Sequence, residues 1–346
     1  MADKEEPMVS IILPVRNEVD FIEQTLRSVL NNVYPSEKME ILVVDGMSED
    51  GTRVVVERLC RGDNRVRMLD NPRRVVPVAI NIGLKATRAD LFMIIGGHAK
   101  VASDFIAKSV RCLEEHPDAW IVGGCIETVS DSFVGRAIAG AMRSPIGVGN
   151  ARSRLGGYNG WVDTVAFGMH HKWILDKIGY FDEELVRNQD DEFNMRVILA
   201  GGKIWLSNSI LSTYYARSSL GKLWRQYLQY GFWRIRTLQK HGKPATLRQI
   251  VPLLFVCSLV VLALAGIVWR VFWWVLAVEL MIYAAGLAYG SVDVGRKAGW
   301  KCSCVAPVVF AILHFGYGTG SLWGIIRFAI LKGRGMRKSE DMPLSR

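Results

Sequence analysis

Acidic residues crowd one short stretch of the chain, Arg187-Asn188-Gln189-Asp190-Asp191-Glu192-Phe193, just ahead of an apolar helical pattern at Met195, Val197, Ile198 and Leu199. Carboxylates at a helix N-terminus are favoured in their charged form by the helix dipole. A charged carboxylate facing a hydroxyl is what a general base requires, and the same cluster would equally serve as a plain acidic cap. A second set lies far upstream, where VVDGMSEDGT places Asp45 at a strand tip and Asp50-Gly51-Thr52 at the start of a helix. A carboxylate at such a tip can accept a hydrogen bond from a base or ribose edge. The plainer alternative makes Asp45 a turn former and Asp50 a helix cap.

These residues need strands and turns to bring them together. Residues 9–13 and 40–45 are β-branched apolar runs, each ending in a turn, and 21–30 between them repeats apolar residues at helical spacing. That is a βαβ unit. A strand at 65–69, a helix at 77–86 and a strand at 91–95 continue it. The pattern predicts an α/β fold whose mostly parallel sheet is covered on both faces, with ligands bound beyond the carboxyl ends of the strands. The first strand ends in Pro14-Val15-Arg16-Asn17-Glu18, without the glycines that let a helix N-terminus approach a pyrophosphate. A Rossmann dehydrogenase and a P-loop nucleotidase are thereby excluded.

ILPVRNE, then VVDGMSEDGT, then NIGLKAT and a strand, together with GYFDEELVRNQDDEFNMRVILAGGKI and SSLGKLWRQYLQYGFWR, resemble the family 2 glycosyltransferases of GT-A fold. The look is that of the membrane-anchored branch that adds sugars to lipid-linked precursors of bacterial exopolysaccharides such as succinoglycan. The resemblance spans residues 8–245. It implies that Pro14, Arg16, Glu18 and Asp45 surround a uracil and its ribose and that Arg74 lies near the nucleotide phosphates. The residue types agree: Glu18 and Asp45 are acceptors, and Arg16 and Arg74 are charged donors suited to a diphosphate, idle solvated arginines being the alternative.

In that family the strand at 91–95 ends in an Asp-x-Asp element that holds a divalent metal against the sugar diphosphate. Here the element reads Gly96-Gly97-His98. His98 fits the third position of the branch's Asp-Ala-His, whereas Gly96 replaces the first aspartate. The resemblance thus implies Gly97 beside the donor and His98 as a ligand of Mn²⁺ or Mg²⁺, the imidazole favouring Mn²⁺ and releasing it below pH about 6.5. A histidine merely hydrogen-bonded at a strand end is the alternative. The family's Glu-Asp motif, counted back from Arg196, lands on Gln189-Asp190, which makes Asp190 the expected base and Asp191 the second choice. One direct displacement would invert the anomeric centre.

In Gly160-Trp161-Val162-Asp163 the indole offers an apolar face for a sugar ring and Asp163 an acceptor for its hydroxyls, although Trp161 would serve equally as core. Arg217 in YYARSSL is expected to face an acceptor diphosphate. Gln226, Gln229, Trp233 and Arg234 resemble the Gln-x-x-Arg-Trp element of processive synthases, with Arg and Trp in the opposite order. The alternative anchors Trp224, Tyr227, Trp233 and the arginines at lipid headgroups.

Composition changes near residue 250. Residues 250–268 carry no charge, and 271–290 carry a single Glu279 behind the interfacial aromatics Phe272, Trp273 and Trp274. Both stretches are long enough to cross the roughly 30 Å hydrocarbon core of a bilayer. A third stretch, 302–326, contains Pro307, His314 and the glycines 316, 318 and 320. Lys301 before it and Lys332, Arg334, Arg337 and Lys338 after it cannot all be cytosolic around one crossing, so it is expected to be re-entrant or split at the glycines.

The expected domains are 1–220 for the GT-A domain, 221–249 for an amphipathic interfacial segment, 250–331 for the membrane helices and 332–346 for a basic tail. The net charge of +10 gathers beside the apolar segments, which fits membrane lipid and excludes nucleic acid as a partner. The acidic start MADKEEPM resembles neither a signal nor a transit peptide, so the first domain is expected in the cytosol against the inner membrane. Six cysteines without metal or disulfide spacing read as reduced thiols. The combined expectation is an inverting transferase moving a sugar from a UDP-sugar to a polyprenyl-diphosphate-linked glycan. A processive synthase and a catalytically silent nucleotide-sugar-binding scaffold are the rivals.

Overall fold

A computed structural model describes residues 5–216, 218–243 and 246–330. The chain divides into two compact units, one made of residues 1–127 and 156–214, the other of 128–155 and 215–346. Residues 128–155, expected within 1–220, therefore pack with the C-terminal helices.

The first unit alternates strand and helix: β1 (Val9–Val15), α1 (Ile22–Leu30), β2 (Met39–Asp45), α2 (Thr52–Gly62), β3 (Val66–Asp70), α3 (Val76–Ala86), β4 (Leu91–Ile94), β5 (Ala99–Val101), α4 (Phe105–Glu115) and β6 (Ala119–Val129). The second unit's α5 (Phe133–Ala141), α6 (Pro145–Val148) and α7 (Arg152–Leu155) follow. The chain then returns as β7 (Gly160–Val162), β8 (Ala166–His171), α8 (Ile174–Ile178), α9 (Gln189–Leu199) and β9 (Lys203–Tyr215). The strands form one sheet in the order β3-β2-β1-β4-β8-β6-β9-β5, with β7 on β9. β1 pairs in parallel with β2 and β4, and β2 with β3, while β8 runs antiparallel to β4 and β6.

Neighbouring residues of β1 feed opposite cores. Ile11 and Leu13 join Leu26, Ile41, Val43 and Phe105 on one face, whereas Ile12 joins Val44, Ile80, Phe92 and Phe193 on the other. A sheet buried on both faces favours apolar residues at successive strand positions, which is why 11–13 and 41–44 read as unbroken apolar runs. α3 lies so close to β1 that a Cβ at Gly83 would stand 2.6 Å from Ile12 Cγ2.

In the second unit α10 (Leu220–His241), α11 (Val251–Val268), α12 (Val271–Ala298), α13 (Trp300–Ser303) and α14 (Ala306–Ile325) follow. Three of its apolar helical spans, Val251–Val268, Val271–Ala298 and Ala306–Phe328, are long and apolar enough to cross a membrane. The third is continuous, contrary to the expectation of a break at its glycines. Those glycines are contact points: Cβ atoms at Gly320 and Gly318 would stand 2.1 Å from Leu228 O and 2.4 Å from Pro252 O, and one at Gly231 would stand 1.9 Å from Tyr317 O. Small residues let α14 meet α10 backbone to backbone, and a helix with apolar surroundings tolerates them. Headgroup anchoring is likewise corrected for two residues. Trp233 and Arg234 are 2 % and 7 % exposed within the unit, Arg234 Nε donating to Tyr317 Oη at 3.1 Å, while Trp224 is 38 % exposed.

Gly320→Leu has no space and is expected to abolish a cooperative melting transition in detergent. Gly286→Ala, with nothing within 4 Å of its added Cβ, is expected to leave the transition unchanged. A second prediction concerns the buried His170, stacked on Phe92, whose pKa burial pushes down to about 4. The unfolded chain takes up this proton near pH 6.5, the folded one only near 4, so stability is lost as pH falls through that window. Thermal melting of His170→Phe across pH 7 to 4 should show a shallower decline than the unaltered protein.

Candidate active site

The ends of β1 and β2 are laced together by side chains. Asn17, at φ 53°, donates its N–H to Ser48 Oγ at 2.8 Å and accepts from Glu49 N–H at 2.9 Å. Glu18 N–H donates to Thr52 Oγ1 at 2.8 Å and Val19 N–H to Asp50 Oδ2 at 3.1 Å. Burial pushes the Asp50 carboxyl up, but hydrogen bonds from Thr52 and Val19 outweigh it and hold the group below its ordinary range. Asp50 therefore ties the turn after β1 to the start of α2, while the N-cap position itself falls on Gly51.

Asp45 ends β2 with no exposed surface. Its Oδ1 accepts from Ser48 Oγ at 2.5 Å, and its Oδ2 from Ser48 N–H at 3.0 Å and Arg53 Nη1 at 2.7 Å. The same Nη1 donates to Asp70 Oδ1 at 2.8 Å, and Asp70 and Asp45 together raise the arginine's pKa still further. Asn71, buried beside them, donates its N–H to Asp45 O at 2.8 Å. Arg74, at φ 59° and half exposed, is 3.6 Å from Glu49. Arg16 packs its stem against Gly46, where an added Cβ would stand 3.2 Å from Arg16 Cβ, and Pro14 is buried inside β1.

Beyond β4, His98 Nδ1 lies 3.1 Å from Glu18 Oε1, and its ring meets Tyr214 of β9 edge-on at 5.2 Å. Gly97 O accepts from Thr25 Oγ1 at 2.9 Å, which fixes the turn. Among the described residues no group of three or more His, Cys, Asp or Glu could hold a metal ion. His98 and Glu18 are in contact with each other, and a cation beside them would have to take most of its coordination from diphosphate oxygens and water.

The acidic cluster opens α9 as expected. Asp190 is exposed, whereas Asp191 Oδ1 accepts from Thr164 Oγ1 at 3.3 Å, directly after Asp163, and Asn194 Nδ2 donates to Thr164 Oγ1 at 2.8 Å. Trp161 goes elsewhere. It is 45 % exposed, meets Trp205 edge-on at 4.9 Å and carries Lys203 Nζ over its ring at 5.2 Å. From Trp205 to Tyr214 β9 covers about 30 Å of extended chain, so Trp161 is not gathered with His98. Arg217 lies outside the described residues. Arg53, Ser48 and Tyr214 escape the sequence reading; the DGTR continuation of the Asp45 turn was the available signal for Arg53.

A doubly covered mixed sheet, parallel through β1 to β4, with carboxylates, arginines and a histidine beyond the ends of those four strands defines a nucleotide-sugar transferase domain of GT-A type. The sequence profile of Glycosyl transferase family 2 matches residues 10–178. A dolichyl N-acetyl-α-D-glucosaminyl phosphate 3-β-D-2,3-diacetamido-2,3-dideoxy-β-D-glucuronosyltransferase of Methanococcus voltae is 32 % identical over 232 residues, 64 % of this chain and 71 % of that protein. The succinoglycan biosynthesis protein ExoA of Rhizobium meliloti is 29 % identical over 315 residues, 90 % of this chain and 92 % of that one. A solved mannosyltransferase of Pyrobaculum calidifontis, in complex with GDP-Man and Mn²⁺, shares the fold at TM-score 0.58 and 19 % identity, covering 92 % of this chain and 88 % of that one. The chain belongs to glycosyltransferase family 2, and it is a glycosyltransferase.

Neighbouring glycines at the end of β4 should respond differently to substitution. An added Cβ at Gly96 has nothing within 4 Å, whereas one at Gly97 would stand 3.0 Å from Glu18 Cγ and 3.1 Å from Val15 Cγ1. Thermal melting should therefore be unchanged in Gly96→Ala and lowered by about 1–3 kcal/mol of stability in Gly97→Val.

Proposed function

We propose that the protein is a membrane-anchored, inverting glycosyltransferase that moves one sugar from a UDP-sugar onto a polyprenyl-diphosphate-linked or similar lipid-linked glycan at the cytosolic face of a membrane. The observation that carries the reading is the convergence of Arg16, Glu18, Asp45 and His98 beyond the ends of β1, β2 and β4. The Methanococcus and Rhizobium relatives, named for a dolichyl-phosphate-linked sugar and for succinoglycan, support a lipid-carried saccharide as acceptor. The three apolar spans support anchoring beside that lipid.

In this reading Glu18 and Asp45 accept hydrogen bonds from the nucleoside, and Arg16 and Arg74 donate to the diphosphate. A divalent cation held by His98, with Glu18 alongside, would neutralise charge on the departing diphosphate. Asp190, or Asp191 as second choice, takes the proton from the acceptor hydroxyl. That oxygen forms the new bond to the anomeric carbon as the bond to the diphosphate breaks on the opposite face, inverting the centre. Asp163, close in sequence to Thr164 and through it to Asp191, is assigned to the acceptor sugar.

Release of UDP by detergent-purified protein, measured over a panel of UDP-sugars with membrane lipid extract and with or without Mn²⁺, tests this. One donor should give Mn²⁺-dependent turnover, reduced about 100-fold or more in Asp190→Asn and lost in His98→Ala. Retained UDP-sugar binding without turnover on any donor would overturn the reading in favour of a silent scaffold.

A further inference from the structure

We propose that α14 does not cross the membrane that α11 and α12 span: it lies along the face on which α11 begins, side by side with α10, and the exposed side of this pair is a docking surface for the lipid of that leaflet. The proposal rests on the reading of α11 and α12 as crossing helices. α10 and α14 run in the same direction. A Cβ at Gly316 would stand 3.3 Å from Tyr227 Cβ, one at Gly320 2.1 Å from Leu228 O and one at Gly324 2.8 Å from Phe232 O, and Gln239 Nε2 donates to Phe328 O at 3.2 Å. From the first of these contacts to the last both helices advance about 18 Å. Whatever depth the second half of α14 and the turn after it reach, α10 reaches beside them.

α10 is too polar for hydrocarbon. Residues 216–250 carry eight Lys and Arg and no acidic residue. Arg236 Nη1 donates to Gln239 Oε1 at 2.6 Å and its guanidinium lies over the Phe328 ring, so charge accompanies the pair to its end. α14 meets the hairpin at the end away from its turn: a Cβ at Gly318 would stand 2.4 Å from Pro252 O and 2.5 Å from Val256 Cγ2, both in the first turns of α11. Leu228, beside Gly320, is within a turn of that level, and from it to His241 α10 advances about 20 Å. If the pair ran on through the bilayer, Lys240 and His241 would stand in hydrocarbon and residues 242–250 would have to climb back through it to Val251, where non-helical backbone and a charge at Lys243 are costly. Laid along the membrane face, the pair keeps both ends of that link at one level. It also leaves Lys301, before α14, and the basic residues of 332–338, after it in the sequence, on the same side, as the positive-inside rule asks. The pair exposes Trp323 and Ile326, one turn apart on α14, and Lys222, Trp224 and Arg225 on α10. Apolar and aromatic side chains beside cations suit acyl chains under phosphate headgroups.

Epitope tags on the full chain, expressed in bacterial cells, test the sidedness. A tag inserted between Trp269 and Arg270 should be reached by antibody on intact spheroplasts, and a tag after Arg346 only on membranes turned inside out. If both are reached from outside, α14 crosses and the proposal is overturned while the anchoring reading stands. If neither is, the hairpin does not cross, and the anchoring reading falls together with the proposal. The lipid contact is read separately, from the tryptophan fluorescence of the full chain in vesicles whose acyl chains are brominated, bromine being a quencher on contact. Trp323→Phe should reduce the intensity lost to quenching, whereas Trp233→Phe, at a buried position, should leave that loss unchanged. A loss unaltered by Trp323→Phe would show this face to be covered by something other than lipid and overturn the docking surface.

Discussion

Burial of the sheet on both faces confines the chemistry of the first unit to the sheet's rim. The strands of its centre have no solvent face, so β1 and β2 run apolar from Ile11 to Val15 and from Ile41 to Val44, and the polar Ser10 and Glu40 near their starts are themselves buried, Glu40 accepting from Thr87 Oγ1. Past these runs the first polar residues are those at the strand tips and in the turns that follow. Parallel pairing brings several such tips to one edge, which an antiparallel meander would distribute between two. Asp45 and Asp70 are register partners for this reason, although 24 residues of chain lie between them. The cost of the arrangement is crowded like charge, and Arg53 and Ser48 offset it.

Much of this was legible in the sequence because strand periodicity and turn chemistry are local. The strands ending at Val15, Asp45 and Asp70 and the helices between them follow from apolar patterning, and the rim residues Arg16, Glu18 and His98 follow from their places just past those strands. What the sequence did not disclose depends on contacts across long stretches of chain. Tyr214 reaches His98 only because β9 and β5 pair, and Asp191 meets Thr164 only because α9 packs over the sheet. Arg53 follows closely on the turn that Asp45 opens, but nothing local shows that Asp70 stands beside that turn. Trp161 had two readings from its type alone, a face for a sugar ring or core, and at 45 % exposed, edge-on to Trp205, it is not core.

Glycine carries opposite meanings in two settings. At φ values near +60 to +100° in water-exposed turns it marks where a chain bends, as at Gly51 and Gly179. Between apolar helices the lack of a side chain matters for proximity, and the backbone stays helical through Gly316, Gly318 and Gly320. A rule that treats glycine as a breaker therefore holds at Gly242 and Gly299, which end α10 and α12, and fails inside α14.

The length of α12 has a consequence for the surroundings of the protein. Its 28 residues span about 42 Å, some 12 Å more than a hydrocarbon core of about 30 Å. The surplus is the charged end, where Lys297 Nζ donates to Asp293 and to the carbonyl of Arg143, tying the segment after α5 to this helix. Such a helix, set across a bilayer, acts as a spacer of fixed height. A thicker membrane would draw that polar clasp toward the lipid carbonyls, and a thinner one would lift it clear, so membrane thickness becomes a variable to which this contact is directly exposed.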